Sequence, residues 1–535
     1  MAHSAPRRHL DASDVGIGWS RFDTRCAFVL VIFTVFLHPV AQMLNRPYWL
    51  DESWVADLTR VDWLRAMSLS SSTPVGWLAL ARLVPGSSLE RGRLLTLAFS
   101  MASSGAAYVL ARSLAWPSKS SARLAAVAVA VAVSCVPIAL VRNDLKQYTG
   151  DAFFALVLLA VVRWVDRRRR PSAVVWLGVV ALVACPFSTT SAFVAAACFG
   201  GLLISAVLAR EVGRIIATAV TGAVVALGLL AMFAVTVWSH ISGALEIYWR
   251  RDYLTGGILQ GPQQTWHRLQ HLEHALAMPA VVAIVLFVVG TVVLARMGET
   301  ALAVALPLLW IEMFVAASLR RYPFLDQRTF HFVLVPSVGL AAIGAFGIVR
   351  EIWRRVPIAG LMIGALVAAL FGLGVVPVRQ SVAFTSEDAR AQTQFVAKSM
   401  RSSDVVLVNS SANWGFAYYW PHGRVRTLRS AVVANGFVAE VAGLDAVYAS
   451  GRTPAAVFRA LRVALDRQRR TGSRSRIFIV RSHITRYEND AWTSAFSRLH
   501  VHPLSIPVGP EPLLLVAPAD QHLHPAPQQL PSASG

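Results

Sequence analysis

The chain has 535 residues, with Lys+Arg 50 against Asp+Glu 29 and a formal net charge of +21, yet it is 55% hydrophobic and only 15% charged. Soluble chains carry about 25% charged residues and basic nucleic-acid-binding tails are poor in apolar ones, so no nucleic acid is expected as a partner. Repeated apolar runs near the roughly 20 residues needed to cross a bilayer make most of the chain one integral membrane unit.

The first apolar run, 26–44, is too long for a signal-peptide core and lacks a small-residue cleavage site, so it reads as a retained span behind a cytoplasmic segment 1–25. Further spans are expected at 94–111, 124–141, 149–165, 173–185, 187–208, 215–238, 277–295, 300–318, 329–349 and 356–376. The short pair at 173–208 is split by Pro186, and Pro74 to Leu83 is too short to span, reading instead as an interfacial helix. Cys26, Cys135, Cys185 and Cys198 lie in or beside apolar runs, with neither metal-ligand nor disulfide spacing.

Lys and Arg beside span ends stay in the cytoplasm. Arg7, Arg8, Arg21, Arg25, Arg112, Lys119, Arg123, Arg163, the run Arg167 to Arg170, Arg210, Arg214, Arg296, Arg350, Arg354 and Arg355 then place the N-terminus inside and everything after Val376 outside. Long loops at 45–92 and 239–276, short loops at 142–148 and 319–328, and a C-terminal domain at 386–517 face outward. That domain reads as α/β: runs such as Asp404 to Val408, Arg476 to Val480 and Pro512 to Val516 suit strands, and Pro454 to Arg469 suits a helix. The Pro/Ala/Gln/Ser-rich end, 518–535, reads as a disordered tail. The expected fold is thus mostly α, a polytopic membrane protein with an extracytoplasmic α/β domain.

Chemistry-bearing residues gather on the outer side. Asp51 and Glu52 lie between Trp49 and Trp54 just beyond the first span; taken alone they read as a solvated loop pair or as helix N-terminal charges. A second acidic cluster, Arg142-Asn-Asp144-Leu-Lys146-Gln-Tyr148-Thr-Gly-Asp151, meets the fourth span, where charges pair or face a cavity. Asp144 and Asp151 share a helix face if that segment is helical. Arg320, Arg321 and Arg328 fill a short outer loop with Tyr322 and Asp326, and guanidinium forks match phosphate oxygens. Glu312 is an intramembrane carboxylate, and Tyr248, Arg250, Arg251 and Tyr253 mix aromatic faces with charge as a sugar or lipid-phosphate site does. His38 and His331 read as packing residues. No Walker, dinucleotide or HExxH pattern is present, so a nucleotide-activated substrate is not expected.

Asp51-Glu52, the proline-led Thr73-Pro74-Val75-Gly76-Trp77, Asp144-Leu-Lys-Gln-Tyr-Thr-Gly-Asp151, and Arg321-Tyr-Pro-Phe with Arg328 together resemble the polytopic glycosyltransferases of the GT-C superfamily. The likeness is to its protein-mannosyltransferase-like and aminoarabinose-transferase-like bacterial branch and covers 26–376. The resemblance implies an inverting hexosyl or pentosyl transferase in the cytoplasmic membrane. Its donor would be a polyprenyl-phosphate sugar and its acceptor a protein, lipid or glycan hydroxyl. It makes Asp51 the base with Glu52 beside it, Asp144 or Asp151 the second acidic motif, and Lys146, Arg321 and Arg328 the phosphate ligands. Arg320 joins these; Tyr148, Tyr322, Glu312, Arg250 and Arg251 line the substrate. The chemistry agrees: a lipid phosphate leaves readily, so a base for the hydroxyl and cations for the phosphate suffice. Mg²⁺ or Mn²⁺ held by carboxylates is an open option. The rival expectations are a transporter or flippase of an anionic lipid-linked substrate, using the same residues as a binding site, and a non-catalytic assembly partner.

Overall fold

A computed structural model describes residues 19–70, 72–136, 143–236, 243–255, 257–276, 278–365, 387–421, 423–433, 435–472 and 474–517. Arg142, 366–376 of the expected last span and the tail 518–535 lie outside them. The chain divides into two compact units: Met1–Asn45, Ser72–Ser239 and Glu246–Phe384 form the first, and Arg46–Ser71, His240–Leu245 and Thr385–Gly535 the second.

The first unit is a multi-pass membrane body. It contains α1 (Arg21–Phe36), α2 (Val40–Asn45), α5 (Val75–Leu83), α6 (Arg93–Ser113), α7 (Lys119–Ser134), α8 (Tyr148–Arg168), α9 (Val174–Ala184), α10 (Ser191–Leu208) and α11 (Val212–Thr236). After α12 (Gly243–Trp249) and α13 (Gly257–Leu276) follow α14 (Ala280–Arg296), α15 (Thr300–Ser318) and α16 (His331–Arg355). Among the described residues six helices, α6, α8, α10, α11, α15 and α16, are long and apolar enough to cross a membrane; α14 and the 171–184 stretch are apolar but shorter.

The core joins α6, α7, α8, α10, α15 and α16 through Ala, Val and Leu. Small residues let backbones approach where apolar solvent offers no hydrophobic drive. A Cβ on Gly344 of α16 would lie 2.2 Å from the Leu286 carbonyl oxygen of α14, and one on Gly290 the same distance from that of Leu340. The break at Pro186 is present, between α9 and α10.

The run 26–44 is not one continuous helix, because Pro39 has no amide to continue it and α1 stops at Phe36 before α2 begins. The Pro74 to Leu83 stretch forms α5, with Gly76, Trp77, Leu78 and Ala81 buried against the unit and Leu83 exposed, and the Gly76 amide donates to the Pro186 carbonyl at 2.7 Å.

Five of the basic residues expected on the inner side, Arg112, Arg123, Arg163, Arg167 and Arg214, pair with buried carboxylates. Asp23 accepts from Arg112 at 2.8 Å and from the Tyr108 hydroxyl at 3.1 Å. Glu299 accepts from Arg167 at 2.7 Å and Arg163 at 3.3 Å. Asp166 pairs with Arg214 and accepts from Ser205 at 2.7 Å. Unpaired, such charges would be too costly at this depth. The four cysteines are free thiols.

The second unit is α/β. It holds α3 (Leu50–Arg60), α4 (Trp63–Leu69), α17 (Ala389–Ser399), β1 (Val405–Val408), α18 (Asn413–Tyr419), β2 (Val425–Arg429), β3 (Phe437–Val441) and β4 (Val447–Tyr448). Then come α19 (Pro454–Thr471), β5 (Ile477–Val480), α20 (Arg486–Arg498), β6 (Leu504–Ile506) and β7 (Leu513–Val516). The main sheet has order β4-β1-β5-β7-β6. β1 is parallel to β4 and β5, with Val406 opposite Phe478, while β7 runs antiparallel to β5 and β6. The strands β1, β5 and β7 are the three hydrophobic runs seen in the sequence and are buried on both faces: β1 and β5 as parallel-sheet strands are, and β7 likewise although its pairings are antiparallel. β2 and β3 form a separate antiparallel pair.

The first part of the first loop, Arg46–Ser71, belongs to this unit. The Tyr48 amide donates to the Tyr419 hydroxyl at 2.7 Å, Trp54 stacks on Phe437, and Arg65 donates to the Thr427 carbonyl at 2.7 Å. The Arg60 guanidinium lies 3.7 Å above the centre of the Tyr418 ring.

Candidate active site

In the second unit the adjacent acids of the first loop take different positions. Residues 51 and 52 occupy the first turn of α3, where carboxylates suit the helix dipole. Glu52 is fully buried and turns back to accept the Trp49 amide at 3.3 Å, as a helix-capping side chain does. Asp51 is half-buried, and so is the member of the pair that solvent or a substrate reaches. The preceding amide, Leu50, donates to Glu387 at 3.1 Å, and the Ser53 hydroxyl donates to the Tyr48 carbonyl at 3.3 Å. One turn further, Asp57 is completely buried, and neither carboxyl oxygen has a hydrogen-bond partner among the described residues. Burial pushes its pKa well above the usual carboxylate range, against the pull of Arg60.

In the first unit the second acidic cluster forms the turn into α8. Asp144 and Lys146 are 2% and 4% exposed, so both are built into the protein rather than solvated. The Lys146 amide donates to the Asp144 carbonyl at 2.7 Å, and Thr96 of α6 donates to the same oxygen at 2.6 Å. Gln147 reaches the Ser72 carbonyl at 3.0 Å. The shared helix face expected for Asp144 and Asp151 is not present, because α8 starts only at Tyr148 and Asp144 sits in the bend before it. Asp151 is buried in the first turn of α8, with the Ser188 and Thr190 hydroxyls against its carboxyl and one oxygen lacking a partner among the described residues.

The loop after α15 comes to the same place. Tyr322 donates to the Thr329 carbonyl at 2.9 Å and packs edge-on to Phe193 at 5.4 Å. Burial, then the charges of Asp151 and neighbours Tyr148 and Asp326, push its hydroxyl pKa well up. Tyr148, Asp151 and Tyr322 are therefore brought within electrostatic reach of one another. Asp326 folds the loop by accepting the Arg328 and Thr329 amides at 3.1 and 2.9 Å. Arg328 donates to the Tyr248 hydroxyl at 3.1 Å, joining this loop to the long loop ahead of α13.

The remaining expected residues are placed differently. Arg320, Arg321, Arg250 and Arg251 have exposed side chains. Glu312 lies half-buried in α15, within electrostatic reach of Cys198 on α10, and makes no ion pair among the described residues. The organising cation of the long loop is Arg268, which donates to the carbonyls of Arg251, Asp252, Tyr253 and Phe324 at 2.6–3.1 Å. Arg268 was not legible beforehand, since its partners are main-chain oxygens with no residue-type signature. Asp57 gave no signal either, for its surroundings come from residues far along the chain. Among the described residues no group of three or more His, Cys, Asp or Glu side chains is placed to hold a metal ion.

No protein-family model matches the sequence, and no curated protein matches it. Solved structures do. ArnT from Cupriavidus metallidurans in the apo state is similar at TM-score 0.51 and 12% identity, over 93% of this chain and 97% of that one. The archaeal oligosaccharyltransferase AglB from Archaeoglobus fulgidus, in complex with an inhibitory peptide and a dolichol-phosphate, is similar at TM-score 0.50 and 9% identity, over 86% and 69%. With its helical membrane body and C-terminal α/β region, the chain has the GT-C fold of these glycosyltransferases.

Proposed function

We propose that the protein is a membrane glycosyltransferase that moves a sugar from a polyprenyl-phosphate donor to an acceptor hydroxyl, with inversion, on the outer face of the cytoplasmic membrane. The observation that carries this reading is the division of labour within the acidic pair. On a GT-C fold, Glu52 caps α3 from a buried position and leaves Asp51 accessible in the same turn. The dolichol-phosphate in the AglB complex supports a lipid-phosphate donor.

In the proposed reaction Asp51 accepts the proton of the acceptor hydroxyl as its oxygen bonds the anomeric carbon. The bond from that carbon to the phosphate oxygen breaks, and the lipid phosphate leaves with the electron pair. Lys146, Arg321 and Arg328, with Arg320, balance the charge that develops on it. Asp144 or Asp151 is the second acidic motif; Asp151, within electrostatic reach of Tyr322 as Tyr148 is, suits the sugar hydroxyls. Inversion follows when base and leaving group act on opposite faces of the sugar.

The test uses the full chain in nanodiscs with a panel of synthetic decaprenyl-phosphate sugars (mannose, glucose, galactose, arabinose and aminoarabinose), reading release of decaprenyl phosphate. Asp51→Asn should lower turnover by about 10²- to 10⁴-fold, the usual worth of a positioned base. Turnover near that of the unmodified protein would remove Asp51 from the role.

A further inference from the structure

Within the second unit, the turn that carries Asp51 is held by a chain of charged hydrogen bonds from the α/β domain. Its centre is His483, just beyond β5. The backbone there is left-handed, φ 56°, a conformation costly for most side chains. It is held by Glu511, whose two carboxylate oxygens accept the His483 and Ile484 amides at 2.9 and 3.0 Å. This presents the imidazole to Glu387: Nδ1 lies 2.5 Å from Oε1 of Glu387. The other oxygen of Glu387 accepts the Leu50 amide, one of the first-turn donors that a helix cannot satisfy itself. The His483 ring also packs against Trp49, with centroids 6.4 Å apart. Trp49 and Leu50, the two residues ahead of Asp51, are thus held by one histidine–glutamate pair.

We propose that His483 and Glu387 are positioning residues for Asp51: the protonated imidazole holds Glu387 in place, and Glu387 holds the first turn of α3 in the geometry in which Asp51 serves as base. The inference rests on the reading of Asp51 given above. Without the imidazolium, Glu387 and Asp51, both within electrostatic reach of His483, lose the cation they share.

The charged groups around His483 are Glu387, Asp51 from α3, Arg452, Glu488 from α20, and Glu511 and Arg481, which flank its backbone. The hydrogen bond to Glu387 is the largest influence and raises the imidazole pKa; burial and Arg452 oppose it, and Asp51 adds to it. Because the folded pKa lies above the unfolded one, the clamp is complete at low pH and is lost as pH rises through the folded value. Turnover should therefore decline on the alkaline side.

The assay combines kinetics on the decaprenyl-phosphate sugar panel with hydrogen exchange of the peptide spanning residues 46–60, both on the full chain. His483→Ala should lower kcat tenfold or more with donor KM within twofold, and should speed exchange at α3. His483→Asn keeps a donor where Nδ1–H stands and tolerates the left-handed backbone. It leaves Glu387 without a facing positive charge at every pH, so kcat and α3 exchange should stay at the alkaline-limit values of the unmodified protein across the pH range, with no further alkaline decline. If His483→Ala does not fold, His483→Asn decides alone, and an alkaline decline unchanged from the unmodified protein overturns the proposal. Wild-type kcat and exchange in His483→Ala, with Asp51→Asn inactive, would refute the positioning role and leave Asp51 as base. An active Asp51→Asn would instead refute the reading of Asp51.

Discussion

Asp57 offers a direct test of how α3 is held. It sits in the middle of α3, is fully buried, and has no hydrogen-bond partner for either carboxyl oxygen among the described residues. Burial raises its pKa well above the carboxylate range. An unfolded Asp ionises near pH 3.9, whereas the folded group keeps its proton to a higher pH, so folding takes up a proton. The docking of α3 is accordingly strongest below about pH 4 and weakens as pH rises, by up to roughly 1.4 kcal/mol per unit until the folded pKa is passed. A buried polar group left unsatisfied costs a further 1–3 kcal/mol or so.

The two costs can be separated by substitution. Asp57→Asn removes the titration but keeps a polar group, while Asp57→Leu removes both. Exchange of the α3 amides, corrected for the intrinsic pH dependence, reads the opening free energy of this segment directly. The unmodified protein should lose protection from pH 5.5 to 8.5. Asp57→Asn should show a flatter profile, and Asp57→Leu at pH 7 should exchange roughly 5- to 150-fold more slowly, the equivalent of about 1–3 kcal/mol. Protection and pH slope unchanged in both variants would refute the reasoning.

Other consequences concern the membrane unit. Glu299→Ala leaves Arg163 and Arg167 without the buried carboxylate they share and strips the Ala115 amide of its acceptor. Loss of one partner from such a pair costs about 3–5 kcal/mol, so the variant should unfold at a clearly lower temperature, and an unchanged melt would count against the network. Gly344→Ala must push a Cβ to within 2.2 Å of the Leu286 carbonyl oxygen, whereas Gly105→Ala meets nothing within 4 Å. The first should cost roughly 1–3 kcal/mol and the second about nothing or be slightly favourable, as read by thermal unfolding. Equal melts would refute the close α14–α16 packing.

Much of the fold was legible because hydropathy is a local property. The break at Pro186, the strand runs at Val405, Ile477 and Leu513, and the helix from Pro454 all appear where apolar periodicity and breakers placed them. The misreadings were also local in origin. A hydropathy window passes over Pro39, although its missing amide ends α1, and a seven-residue spacing suggested a helix face for Asp144 that the bend before Tyr148 removes. Of the candidate site, the acidic and basic residue types were visible, but not their roles. Glu52 and Asp51 are chemically alike and adjacent, and only the direction of the Glu52 side chain, back onto the Trp49 amide, distinguishes cap from accessible acid.

The sequence by itself determined that the chain is a polytopic membrane protein with an α/β domain, because bilayer thickness and strand burial impose patterns within single segments. Only the tertiary structure decided that the first part of the first loop packs with the α/β domain, through Tyr48 and Tyr419, Leu50 and Glu387, Arg65 and Thr427. It likewise decided that Arg112, Arg163, Arg167 and Arg214 are matched by Asp23, Glu299 and Asp166, and that His483 stands beside the turn bearing Asp51. The physical reason is separation: these partners lie from tens to hundreds of residues apart, so nothing in a local pattern encodes them. They exist only once burial has removed the alternative of pairing with water.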